Sequence, residues 1–182
     1  MPNPLDKKYI PEKFYFMLPV KKPEVPKRVM KEAKANGLHE KTECHISVIV
    51  EKTARIVREK IAQLENPEEM KEKIITLFNS FGWEYKLTDT YSLQEKFYSA
   101  KNLTDAGIAE EPEHNRKSIA QIVELPDMEK FYKELEKLLD IGLEIPPPHI
   151  TVFGWSDYIL KATRGIGIYS QTDFDANHKK YI

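Results

Sequence analysis

One cysteine stands in this chain of 182 residues, at position 44. A single thiol rules out an intramolecular disulfide framework, and it removes the paired cysteines that many structural zinc sites use. An excess of one charge sign is missing as well, since the formal net charge is −1. That balance argues against a protein that coats long double-stranded nucleic acid by bulk electrostatics. Long apolar runs are also lacking. None approaches the roughly 20 residues that cross a bilayer, and Met1 to Lys8 has no apolar core of the kind a secretion signal carries. The expectation is a cytoplasmic protein with no membrane partner, its Cys44 a buried and inert thiol.

What is present describes a soluble globular protein: 41% hydrophobic and 31% charged residues, with a mean hydropathy of −0.55. The length suits one domain over 1–182, large enough for a real core. Charge is unevenly placed. Asp6 to Lys34 holds nine Lys/Arg against four Asp/Glu, while Asp105 to Glu144 holds eleven acids against five bases. Solvated helix faces account for both; a basic rim beside a cleft is the functional alternative for the first.

Hydrophobic spacing outlines the elements. Residues 14–20 read as a strand, 24–36 as a helix, and 44–50 as a β-branched strand, followed by a helix over 51–65. Asn66-Pro67-Glu68-Glu69 is a helix start, with a capping residue, a proline suited to the first turn, and acids at the positive end of the dipole. Residues 83–99 alternate like β-structure, with Thr88-Asp89-Thr90 as a turn. Residues 101–116 read as a loop, and 118–125 as a strand. A strongly amphipathic helix starts at Pro126 and closes at Gly142. Pro146-Pro147-Pro148 then delivers an extended chain into 148–154, and Ile166 to Tyr169 reads as a last strand. Strand, helix, strand thus occurs twice, over 14–50 and 118–154.

Within those two units two tetrapeptides repeat: His45-Ile46-Ser47-Val48 and His149-Ile150-Thr151-Val152. On a strand successive side chains alternate faces, so each His shares a face with the hydroxyl two residues on. Two such strands side by side offer two imidazoles and two hydroxyls to one cleft. Imidazole exchanges protons near neutral pH, and hydroxyls donate to phosphoryl oxygens. That set suits acid–base chemistry on a phosphate ester.

The paired motifs, 104 positions apart, and the strand-like segment Phe14 to Val20 resemble the 2H phosphoesterase superfamily, which includes LigT-like RNA 2′,3′-cyclic phosphodiesterases and 2′-5′ RNA ligases. The resemblance fixes about eight positions. It implies an α+β, bilobal fold: two mainly antiparallel sheets with outer helices and a central cleft, the motif strands near 44–50 and 148–154. It further implies a nucleotide or RNA end with a 2′,3′-cyclic phosphate, or a 2′-5′ linkage, as substrate. His45 and His149 would be the catalytic pair and Ser47 and Thr151 the phosphate-binding hydroxyls. The symmetric motifs do not say which His is acid and which is base; His45 is taken as the acid and His149 as the base. Tyr15 and Tyr169 are candidates for base stacking, beside the core packing that any aromatic residue serves. No cofactor and no metal is expected, because one imidazole can take the proton of the attacking water while the other gives one to the leaving ribose oxygen.

Two other functions fit the same residues: a non-catalytic nucleotide or RNA-end binder, and a metal site built from the two His and an acid such as Glu43. Arg116 and Lys117 read as a solvated loop pair or as phosphate neighbours, and His39, His114 and His178 as surface residues. Gly165-Ile166-Gly167 lacks the following Lys-Ser/Thr of a phosphate loop.

Overall fold

A computed structural model describes residues 7–182. Residues 1–6, part of the segment read above for a secretion signal and for basic charge, lie outside the described residues. The elements are β1 (Lys8–Ile10), β2 (Tyr15–Val20), α1 (Lys27–Ala35), β3 (His39–Glu40), β4 (Cys44–Ile49), α2 (Glu51–Ile61), α3 (Pro67–Ser80), β5 (Lys86–Tyr98), α4 (Ala100–Asp105), β6 (His114–Glu124), α5 (Pro126–Leu139), β7 (His149–Ser156), α6 (Gln171–Asn177) and β8 (His178–Tyr181). The fold is α+β.

All the strands join one antiparallel sheet in the order β1-β2-β4-β7-β6-β5-β8, with β3 paired to the far end of β7. Its centre is symmetric in order. Each repeated unit forms its own antiparallel pair, β2 with β4 and β6 with β7, and the two units meet where Ile46 faces Ile150. Two separate sheets were expected, and this seam makes them one. The reason is chemical: both motif strands are inner strands whose backbone groups need partners when buried, and at Ile46 and Ile150 they pair with each other.

One face of the sheet carries the main core. Phe16, Leu18, Ile46, Val48, Ile150 and Val152 pack there with Val29 and Ala33 of α1, Ala54 and Val57 of α2, Ile74 and Phe78 of α3, and Phe131 and Leu135 of α5. Each fully buried large apolar side chain contributes about 1.5–3 kcal/mol. Tyr132 of α5 also donates its hydroxyl to the Val48 carbonyl at 2.8 Å, pinning a motif strand to the helix layer. The opposite face is crossed by the chain after β7. There Ile166, Ile168 and Phe174 form a small cluster with Ile122.

Several elements differ from the sequence reading. Thr88 to Thr90 is no turn: β5 runs through it with a shift in register between Leu87 and Tyr91, so the polar triplet marks a bulge. The 101–116 stretch contains α4, whose start Ser99 caps by accepting from the Asn102 amide, and β6 begins at His114. Ile166 to Tyr169 is not a strand, because its isoleucines are spent packing down onto the sheet rather than pairing at an edge. The sheet edge is taken by β8, in the polar tail. Asn66 precedes α3 as expected, but its side chain makes no capping hydrogen bond.

Candidate active site

The site follows from one pairing. Ile46 and Ile150, both fully buried, lie opposite each other in β4 and β7 and point into the helix-side core. Antiparallel register then sets His45 across from Thr151 and Ser47 across from His149, all four on the other face. Diagonal neighbours in such a ladder are about 7–8 Å apart at Cα, which brings both imidazoles within reach of one small group. The surface supports this alternation: His45 is exposed, and Ser47, His149 and Thr151 are half-buried. Cys44 is buried and faces away from His45, as expected, and burial raises its thiol pKa.

The two rings are electrostatically distinct. Desolvation pushes the pKa of His45 down, and repulsion from His149, Lys41 and Lys8 adds to this, with Glu43 opposing. Desolvation also lowers His149, partly offset by its hydrogen bond to the Pro147 carbonyl. That bond, Nδ1 to oxygen at 2.8 Å, has a directional consequence. A carbonyl only accepts, so Nδ1 carries the hydrogen, and neutral His149 presents the lone pair of Nε2. The extended Pro146–Pro148 run places that carbonyl.

Tyr15 and Tyr169 both line a cavity of about 610 Å³. Tyr15 lies on the motif face of β2, in line with Met17 and Pro19, which pair with Ser47 and His45. Its hydroxyl donates to the Glu51 carboxylate, and burial together with this bond raises its pKa to about 12. Burial raises Tyr169 still further. Beside His45 a smaller cavity, about 310 Å³, is lined by Lys8 and Lys22 of the basic amino-terminal stretch and by Glu43. Among the described residues no cluster of three His, Cys, Asp or Glu has metal-binding geometry.

Glycines let the crossing segment lie close to the site. A Cβ on Gly154 would meet the Thr163 carbonyl at 2.5 Å, and one on Gly165 would meet Thr151 Cγ2 at 2.9 Å. Gly165 therefore belongs to the wall behind the Thr151 hydroxyl, not to a phosphate loop.

Other candidates fall elsewhere. Arg116 is no loop residue. It lies in β6, 3% exposed, bonded to Glu111 at 2.9 Å and to His114 Nε2 at 2.7 Å, with its guanidinium over the Tyr98 ring. Lys117 pairs with Glu95. His114 is buried, stacked on Tyr98 and bonded through Nδ1 to the Pro112 carbonyl, so the surface reading of it is corrected. His178 is half-buried, 2.7 Å from Ser92 Oγ, and only His39 is exposed as expected.

Residues missed in the sequence include Glu51, Arg55 and Arg58, which line the 610 Å³ cavity. A signal was available. They sit at i, i+4 and i+7 on α2, on a face that flanks its apolar stripe Ala54, Val57 and Ile61, on the helix that leaves the first motif strand. Compared with protein-family models, curated proteins and solved structures, the chain matches none of them.

Proposed function

We propose that this protein is a phosphodiesterase of the 2H type, acting on a 2′,3′-cyclic phosphate or a 2′-5′ linkage in a nucleotide or RNA end. Its sheet halves would be the two lobes of that fold, and the motif face the floor of the cleft. The observation that carries the reading is the Ile46–Ile150 pairing, which gathers His45, Ser47, His149 and Thr151 on one face of adjacent strands.

In the hydrolytic direction His149 Nε2 takes a proton from water as the water attacks phosphorus. His45, protonated, gives its proton to the departing ribose oxygen. Each transfer contributes about 10²–10⁴-fold when placed correctly. Ser47 and Thr151 donate to the non-bridging oxygens, where charge grows in the transition state. The Nδ1 bond to Pro147 favours His149 as the base, since it leaves Nε2 as the acceptor. With a ribose 5′-hydroxyl in place of water as the attacking group, the same steps break the bond to O3′ and form a 2′-5′ bond. Run backwards, with O3′ attacking and the 5′ oxygen leaving, they cleave it. No step calls for a metal. Tyr15 or Tyr169 would stack the base, and the lone buried thiol of Cys44 suits a reducing cytoplasm.

The test is a screen of nucleoside 2′,3′-cyclic phosphates and 2′-5′ oligonucleotides with metals chelated, comparing the wild type with the H45A/H149A double variant. Turnover confined to the wild type supports the proposal. Binding without product in every case favours a non-catalytic binder, and turnover equal in the two proteins overturns it.

A further inference from the structure

The 610 Å³ cavity carries more cationic charge than two stacking tyrosines need. Lys13, Arg55, Arg58 and Arg164 line it, against Glu12 and Glu51. Of the acids, Glu51 already accepts the Tyr15 hydroxyl. Of the cations, Arg164 has only a share in a carboxylate: Glu111 takes its Nη1 at 2.5 Å and Nη2 of the buried Arg116 at 2.9 Å. Two guanidiniums on one carboxylate leave positive charge over. Arg58 is held in place by donating to the Lys13 carbonyl, which ties the 11–14 turn to α2, and the Lys13 ammonium lies 5.7 Å from the centre of the Tyr15 ring.

Backbone geometry sharpens the placement. Glu51, the first residue of α2, has φ +25°, a left-handed region that non-glycine residues seldom occupy. The chain adopts it directly after the first motif strand, turning Glu51, Arg55 and Arg58 toward the cavity. The cavity also adjoins the motif face through Tyr15 and Arg164, which line it. Tyr15 stands two residues from Met17, the partner of Ser47, hence about 7 Å along the strand, and Arg164 precedes the Gly165 that abuts Thr151. An offset of that order leaves room for one nucleotide between the motif face and the cations.

We propose that this cavity is a subsite for a second phosphate, the one on the 5′ side of the ribose whose cyclic phosphate lies over His45 and His149. A terminal ribose closed at O2′ and O3′ has only its 5′ oxygen left to carry phosphate, so a second anion one nucleotide away must be attached there. The cations take that phosphate, and a tyrosine face takes the intervening base. The inference rests on the function proposed above. It assigns Lys13, Arg55, Arg58 and Arg164 to substrate binding, and it makes phosphate-bearing nucleotides better substrates than plain cyclic nucleosides.

Three probes test it: adenosine 2′,3′-cyclic phosphate, the same compound with a 5′-phosphate, and the dinucleotide ApA with a cyclic end. We expect one or both of the latter to exceed the first about tenfold in kcat/KM, the size of one charge-assisted hydrogen bond. In R55Q/R58Q, and independently in K13Q, that advantage falls to within about twofold. Gln keeps helix propensity close to that of Arg. Preference for the 5′-monophosphate identifies a nucleotide, and preference for the dinucleotide an RNA end. No advantage in the wild type, or an advantage that survives both variants, overturns the subsite. Binding of the same probes to H45A/H149A, measured by calorimetry, separates the subsite from the chemistry. If the wild type turns over nothing, a preference for the phosphate-bearing probes that R55Q/R58Q removes still upholds the subsite, whereas equal affinities reject it.

Discussion

Ile46 and Ile150 face each other across the middle of the sheet, both with no exposed surface. This contact joins the two halves of the chain and fixes which side chains stand on the opposite face. A slip of one residue at the seam would turn one imidazole into the core and an isoleucine out. Packing on one face therefore fixes which side chains stand on the other.

Truncating either residue should show this coupling. Ile46→Ala and Ile150→Ala are each expected to cost about 2–5 kcal/mol, the range for deleting buried aliphatic groups. The double variant should cost less than the sum, because the two cavities merge. Urea denaturation measures both effects. Strict additivity would mean that the two side chains do not touch.

The pH profile is expected to sit on the acid side. His149 must be neutral to accept a proton, so activity falls as pH drops through its pKa. His45 must be protonated to donate one, so activity falls as pH rises through its own. Both pKa values are lowered, and the ordinary value is about 6.5, so the maximum of kcat/KM lies below about 6.5. A bound phosphate anion relieves the repulsion between the rings, so the alkaline limb of kcat lies at higher pH than that of kcat/KM. Folding follows the same sign. The unfolded chain binds protons more readily than these rings do, so their contribution to stability is lost as pH falls from about 6.5 through the lowered values. A kcat/KM plateau that extends past pH 8 would rule out this assignment of roles.

Gly165 and Thr151 allow a test of placement. In Gly165→Ala the new Cβ would stand 2.9 Å from Thr151 Cγ2 and displace that side chain. Loss of the hydroxyl alone, in Thr151→Val, is expected to reduce kcat about 10²–10³-fold. Gly165→Ala should reduce kcat in the same direction. Serine has no Cγ2, so Thr151→Ser should tolerate the alanine and recover activity in the double variant. Failure of that rescue would place the harm in the backbone rather than in Thr151.

Glu111 is the counter-ion of a buried guanidinium. The Glu111 side chain is 5% exposed and that of its partner Arg116 3%. Glu111→Gln should cost about 3–5 kcal/mol, since it leaves a charge buried without compensation. Adding Arg116→Met should restore much of the loss. By contrast, Lys133→Ala, which breaks an exposed pair with Glu129, should change stability by less than about 1 kcal/mol. Thermal or urea unfolding distinguishes the two cases.

Much of the helix layer was legible because apolar residues recur at helical spacing over long segments, as from Met128 to Leu139. The motif strands were legible for a simpler reason: alternation puts His with hydroxyl and Ile with Val. Their adjacency was not, since strand order depends on contacts far apart in the chain. Long-range pairing also explains the misreadings of Thr88 to Thr90 and of Ile166 to Tyr169. Local polarity suggested a turn in one case and local branching a strand in the other, but neighbouring strands and core decided both. His114 looked superficial among Glu111, Pro112, Glu113 and Asn115. It is buried because Arg116, Tyr98 and the Pro112 carbonyl satisfy its ring, partners that no local pattern reveals.

The central claim is that two imidazoles from separate strands act on one phosphorus. The direct measurement follows hydrolysis of a nucleoside 2′,3′-cyclic phosphate by ³¹P NMR, with metals chelated, for wild type, His45→Ala and His149→Ala. Circular dichroism confirms that each variant is folded. Product is expected from the wild type, with a loss of at least about 10²-fold in each variant. Wild-type turnover in either folded variant would contradict it.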